Sequence, residues 1–97
     1  MTTKIIGLIH LQDMDAFEIY RSQVGATVAQ YNGSVTTRGD CDKFYWNELD
    51  CGEFNAYVEL NFPTAEDADR WANSPEYQAI VPIRNKAMSL TLFRVNS

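Results

Sequence analysis

The segment Glu53-Phe54-Asn55-Ala56-Tyr57-Val58-Glu59-Leu60-Asn61-Phe62-Pro63-Thr64 carries the clearest periodicity in the chain. Phe54, Ala56, Val58, Leu60 and Phe62 alternate with Glu53, Asn55, Tyr57, Glu59 and Asn61, the period of two expected of a strand with one apolar face. Pro63 has no amide hydrogen to give a sheet ladder and ends the strand. Thr64, with Asp67 three residues on, opens a helix whose Ala65, Ala68 and Trp71 point inward. The odd-numbered strand residues then coat the sheet face away from the helix. Either water covers that polar row or a partner with complementary polar groups does.

Upstream, Lys4 to Leu11 reads as a second buried strand, with Ile5, Ile6, Leu8, Ile9 and Leu11 on both pleat faces and Gly7 admitting a close neighbour. From Asp13 the period changes. Phe17, Tyr20, Val24, Val28 and Tyr31 recur at spacings of three and four, one stripe of a helix. Asp13 can cap it, as can Asp15 with Glu18 as a capping box. Asn32-Gly33 supplies a residue tolerant of positive φ just past the stripe, so the chain reverses there. Ser34 to Asp40 follows as a more polar strand suited to a sheet edge. Beyond the opening segment, Ser74-Pro75-Glu76 starts a short helix with Ser as cap and Pro at N1, and Pro82 limits it. Met88 to Val95 alternates as a fourth strand. The order is β-α-β-β-α-β, the arrangement of an α+β ferredoxin-like fold: one four-stranded antiparallel sheet with two helices on one face, residues 1–97 forming one domain.

Composition narrows the functional classes. Of 97 residues, 45% are hydrophobic and 22% charged, which fits a packed globular chain rather than a disordered one. A formal net charge of −5 has the wrong sign for a phosphate-binding surface, so no nucleic-acid partner is expected. The longest apolar run, broken by Gly7 and His10, falls far short of the roughly 20 residues of a membrane span. It carries no signal-like cleavage site, and a cytoplasmic protein is expected. So small a domain buries only about 60–65% of its unfolded surface, and pairing with a second copy helps its stability.

Asn61-Phe62-Pro63-Thr64, Trp71-Ala72-Asn73-Ser74-Pro75-Glu76-Tyr77-Gln78 and Ile83-Arg84 together resemble the bacterial family catalogued as domain of unknown function 1330. Asp13, Phe17, Tyr20, Tyr31-Asn32-Gly33 and Arg38-Gly39 extend the resemblance over nearly the whole chain, and Ser74-Pro75-Glu76-Tyr77 is its most specific element. The resemblance implies a dimeric α+β barrel, two ferredoxin-like sheets packed by their helix-free faces. It favours Asp13 over Asp15 as the helix cap. It implies no set activity, since related barrels include cofactor-free monooxygenases, haem-degrading enzymes, isomerases and ligand-sensing modules. Asn61 stands where the family has an acid, Ala72 where it has a Tyr, and the loop between Cys41 and Cys51 is unusual.

His10 is the only histidine, the one side chain that titrates near neutrality unperturbed, and it ends a buried strand. It is the candidate acid or base; a hydrogen-bonded structural histidine at a dimer seam, or an axial haem ligand, are the other readings. If the first and third strands are antiparallel neighbours, Glu53, Asn55 or Tyr57 come within its reach. Arg38 and Arg84 are the candidate anion contacts, because a guanidinium holds a carboxylate in a bidentate pair. Trp71 and Tyr77 flank the Ser74-Pro75 break, where a helix interruption makes a concavity. With Asn61 these define a candidate pocket for a small organic ligand, either a substrate of cofactor-independent oxidation or isomerisation or the effector of a non-catalytic sensing or dimerisation domain. Cys41 and Cys51 are expected as free thiols, with no zinc site and no cofactor. The adjacent Phe44, Tyr45 and Trp46 should cover a pocket mouth or pack on another protomer.

Overall fold

The structure, a computed structural model, describes residues 2–96. Its elements run β1 (Thr3–Leu11), α1 (Met14–Ala29), β2 (Ser34–Asp40), β3 (Ala56–Phe62), α2 (Ala65–Ala72), α3 (Pro75–Gln78), α4 (Val81–Ala87) and β4 (Met88–Asn96). The strands form one antiparallel sheet in the order β2-β3-β1-β4, the ferredoxin-like topology. β1 and β3 take the two central places; the polar β2 lies at one edge and β4 at the other.

Register sorts the side chains. Ile5 lies opposite Leu60 and Ile9 opposite Ala56, so all four share the buried face under the helices. Lys4, Ile6 and Leu8 lie opposite Asn61, Glu59 and Tyr57 on the other, helix-free face. Gly7 belongs to the buried face: a Cβ there would stand 2.6 Å from Val58 Cγ1 and 3.2 Å from Leu92 Cδ1. The close neighbours it admits are thus side chains of the two flanking strands.

The helix starts follow the caps. Asp13 Oδ1 accepts from the Ala16 amide (3.1 Å), Thr64 Oγ1 from that of Asp67 (3.1 Å) and Ser74 Oγ from that of Tyr77 (3.0 Å). Asp13, not Asp15, caps α1. At the α1 exit Asn32 takes the positive φ, 69°, and Gly33 does not. Gly33 answers a different constraint, because a Cβ there would lie 2.5 Å from the Phe62 ring and 2.8 Å from Val28 Cγ1. Pro82 corrects a second expectation. Rather than limiting α3, it occupies the first turn of α4, where its missing amide hydrogen costs no helical bond. The helix layer therefore has four helices, not two.

Gly33→Ala is expected to destabilise the fold by about 1–3 kcal/mol, since the added methyl meets the Phe62 ring and Val28 in a filled core. Urea denaturation followed by far-UV circular dichroism measures it.

Candidate functional site

A cavity of about 310 Å³ lies between the buried face of the sheet and α1. Its walls are mostly apolar: Ile9, Ala56, Val58, Leu60 and Leu90 from the strands, Phe17 and Val24 from the helix. The charged residues on its border are Glu18 and Arg21 of α1 and Arg38 and Asp40 of β2. Glu18 and Arg21 pair across one helical turn at 2.8 Å, and the Arg21 guanidinium sits over the Phe17 ring.

Arg38 reaches the cavity through an irregularity of β2. Val35 lies opposite Leu60, and Thr37, not Thr36, opposite Glu59. The extra residue restarts the alternation, so Arg38 lies opposite Val58 on the cavity side. Thr36 is held in place by donating its hydroxyl to the Glu59 carbonyl (3.1 Å).

The interior end of the cavity is polar. Tyr20 of α1 and Tyr77 of α3 both line it, are both buried, and bring their hydroxyl oxygens to 3.0 Å. Arg84 of α4 donates from Nη1 to the Tyr77 hydroxyl (2.9 Å). Trp71, stacked at a tilt on Tyr77 with ring centres 4.4 Å apart, donates its indole hydrogen to Thr27 Oγ1 (3.1 Å). Burial pushes the Tyr20 phenol far above its ordinary range, and the neighbouring Tyr77 hydroxyl pushes the same way against a smaller opposing pull from Arg84. Tyr20 therefore stays protonated at physiological pH and can donate a hydrogen bond.

The residues singled out from sequence divide between two faces. Trp71, Tyr77 and Arg38 line the cavity, and Arg84 touches Tyr77 from behind. His10 and Asn61 do not join them, because both lie on the helix-free face, whose alternation is opposite to that of Ile9 and Leu60. His10 is exposed, with Nδ1 3.3 Å from the Glu53 carbonyl oxygen; the sheet itself separates it from the cavity. Asn61 Oδ1 is buried with no hydrogen-bond partner. Nearby, Glu59 takes Lys4 at 3.2 Å and the Tyr57 hydroxyl at 3.1 Å. Tyr20, read from sequence as part of an apolar stripe and of the family resemblance, lines the cavity although the candidate set does not include it. Its sign in the sequence is a hydroxyl-bearing ring within an inward stripe, which needs a polar partner when buried.

In the loop 41–55, Phe44 packs edge-on against Phe54 at 4.9 Å, while Tyr45, Trp46 and Leu49 stay exposed. Cys41 and Cys51 are free thiols. Among the described residues no three His, Cys, Asp or Glu side chains gather as a metal site would require, and no helix is long and apolar enough to cross a membrane.

A ferredoxin-like α+β chain with a cavity between its first helix and its sheet defines the class. Within it, the chain belongs to the family described as domain of unknown function (DUF1330), whose model matches residues 3–97. Among solved structures it is similar to the RPA0582 protein of unknown function from Rhodopseudomonas palustris, at 16% identity and TM-score 0.81, covering 99% of this chain and 82% of that one. It is also similar to SnoaB, a cofactor-independent oxygenase from Streptomyces nogalater, at 10% identity and TM-score 0.69, covering 99% and 92%. A dimeric ferredoxin-like protein of unknown function from Jannaschia sp. CCS1 matches at 8% identity and TM-score 0.71, covering 100% of both chains. At such identities the likeness is one of fold. No curated protein matches the sequence.

Because Tyr20 binds its proton more tightly folded than unfolded, the stability this gives is fully present below the unfolded tyrosine pKa of about 10 and is lost progressively above it. Stability measured by urea titration should therefore fall as pH rises past that value. Tyr20→Phe should lessen the fall, leaving the slope due to Tyr31 and Tyr57, whose phenols are also raised, the first by its hydrogen bond to Glu76 and the second by burial.

Proposed function

We propose that this chain works as a homodimer holding a small, largely apolar organic molecule between α1 and the sheet. The observation that carries this reading is the cavity: about 310 Å³, at the lower end of the volumes of small-molecule sites, apolar along its walls, with Tyr20 and Tyr77 at one end and Arg38 among its charged border residues. Such a border suits a guest with one anionic or strongly polar group. The free thiols of Cys41 and Cys51 fit a reducing, cytoplasmic setting.

Dimerisation through the helix-free face is supported by what that face leaves exposed. Phe93 lies opposite Ile6 and Val95 opposite Lys4, and both Phe93 and Val95 are exposed, at 44% and 38%. A second copy would cover these apolar residues. The dimeric ferredoxin-like relative from Jannaschia sp. CCS1 is consistent with that assembly.

Two activities remain compatible with the cavity, and one arrangement favours catalysis. The paired hydroxyls backed by Arg84 resemble a site that stabilises developing negative charge on oxygen, as cofactor-independent oxidation or isomerisation of an enolisable substrate requires. Acid–base work by His10 would have to take place at the helix-free face and not in this cavity. The non-catalytic alternative is a ligand-sensing dimer, which would be stabilised by its ligand without turning it over.

In Trp46→Phe protein, Trp71 is the only tryptophan and lines the cavity, so small aromatic fragments should change its fluorescence in a saturable way. Fluorescence unchanged across a library of such fragments, with thermal stability likewise unchanged, defeats the cavity reading. Separately, Phe93→Glu should convert a dimer to a monomer by native mass spectrometry while leaving the far-UV spectrum intact. A wild-type monomer at micromolar concentration rules the assembly out.

A further inference from the structure

We propose that the Tyr20–Tyr77 end of the cavity is an oxyanion site, built to take the single charged oxygen of a phenolate or enolate whose remaining body is apolar. This rests on the cavity reading above and names its ligand class. The argument is a count of hydrogens. The two phenols carry two hydroxyl hydrogens, and the 3.0 Å bond between them uses one, whichever ring donates. Arg84 can only donate, so its bond to Tyr77 occupies an oxygen lone pair and uses neither hydrogen. One O–H is left over, and no acceptor for it is found among the described side chains. Both rings line the cavity, so a guest oxygen can take that hydrogen.

The sign of the guest follows from what stands behind the hydroxyls. Arg84 places a fixed positive charge on the Tyr77 oxygen, and its guanidinium lies 5.7 Å from the centre of the same ring. A hydroxyl that accepts from a cation becomes a better donor, and at the buried end of the cavity that preference for an anionic acceptor is less screened than at the surface. Arg84 is thus a positioning residue that acts through Tyr77. A single spare hydrogen matches one oxygen better than the two oxygens of a carboxylate, which ask for more donors. The apolar walls then take the ring or chain over which the charge is spread.

The test uses 4-nitrophenol, whose phenolate absorbs in the visible and whose phenol does not, together with the neutral 4-nitrotoluene of similar shape. The bound phenolate is expected to be favoured over the bound phenol at least tenfold relative to water, read as a downward shift of the visible titration midpoint by one pH unit or more. Tyr20→Phe/Tyr77→Phe, which removes both hydroxyl hydrogens, should lose most of this preference while 4-nitrotoluene still binds; Arg84→Gln should reduce it and Arg84→Lys restore part of it. Equal binding of phenol and phenolate by the wild type overturns the proposal and leaves the cavity reading intact. Exclusion of both probes overturns both readings. A preference that survives Tyr20→Phe/Tyr77→Phe and disappears in Arg38→Gln also overturns it, by placing the charge selection at the border residues instead.

Discussion

The antiparallel register of β1 on β3 governs which side chains can meet. Setting Ile5 against Leu60 and Ile9 against Ala56 commits those residues to the helix side and, by the period of two, sends Lys4, Ile6, Leu8, Tyr57, Glu59 and Asn61 to the other. A slip of one residue would exchange the two sets. Each feature of functional interest belongs to one face or the other: the cavity under α1, or the surface where Phe93 and Val95 stand exposed. That partition is also why His10 and Tyr77 cannot share a small ligand within one protomer.

The second constraint is the broken helix layer. A single continuous helix after β3 would carry Trp71, Tyr77 and Arg84 at fixed spacing along one rod. Instead α2 ends at Ala72, Ser74 caps α3, and Pro82 enters the first turn of α4. Each segment is re-aimed, so Trp71 stacks on Tyr77 while Arg84 approaches the same phenol from another direction. The segment α3 is a single helical turn, and what holds it is the Ser74 side chain, which accepts from the Tyr77 amide and donates to the Trp71 carbonyl. The polar end of the cavity thus depends on a serine that does not line it.

Much of the fold could be read from local chemistry. The caps Asp13, Thr64 and Ser74 and the boundaries of β2 follow from short-range rules, and the structure agrees with them; of the alternation over residues 53–62, Ala56–Phe62 forms β3 and 53–55 stay in the preceding loop. α4 was hidden because Pro82 serves equally as a stop and as a first-turn residue, and only packing distinguishes the two. The site was half legible. Trp71 and Tyr77 were found from the Ser74-Pro75 break, but Tyr20 sat within a stripe that looked merely apolar. The face of His10 is not legible because β1 is apolar on both sides, whereas the period of two already puts Asn61 on the face away from the helices, and only the family resemblance groups it with Trp71 and Tyr77. Arg38 was chosen for its charge, whereas its access to the cavity comes from one additional residue in β2 that no alternation pattern reveals.

That additional residue makes the edge strand a place where the cavity border can change at low risk. β2 contributes only Val35 to the packing around the core, and its exposed positions tolerate replacement. Loss of the extra residue would leave Arg38 opposite Val58, whereas a residue gained between Thr37 and Arg38 would turn Arg38 away from the cavity and bring the newcomer to its place, with the central strands undisturbed. An insertion in β2 thus changes the charge at the cavity border, a route of divergence that comparison of aligned substitutions alone would overlook.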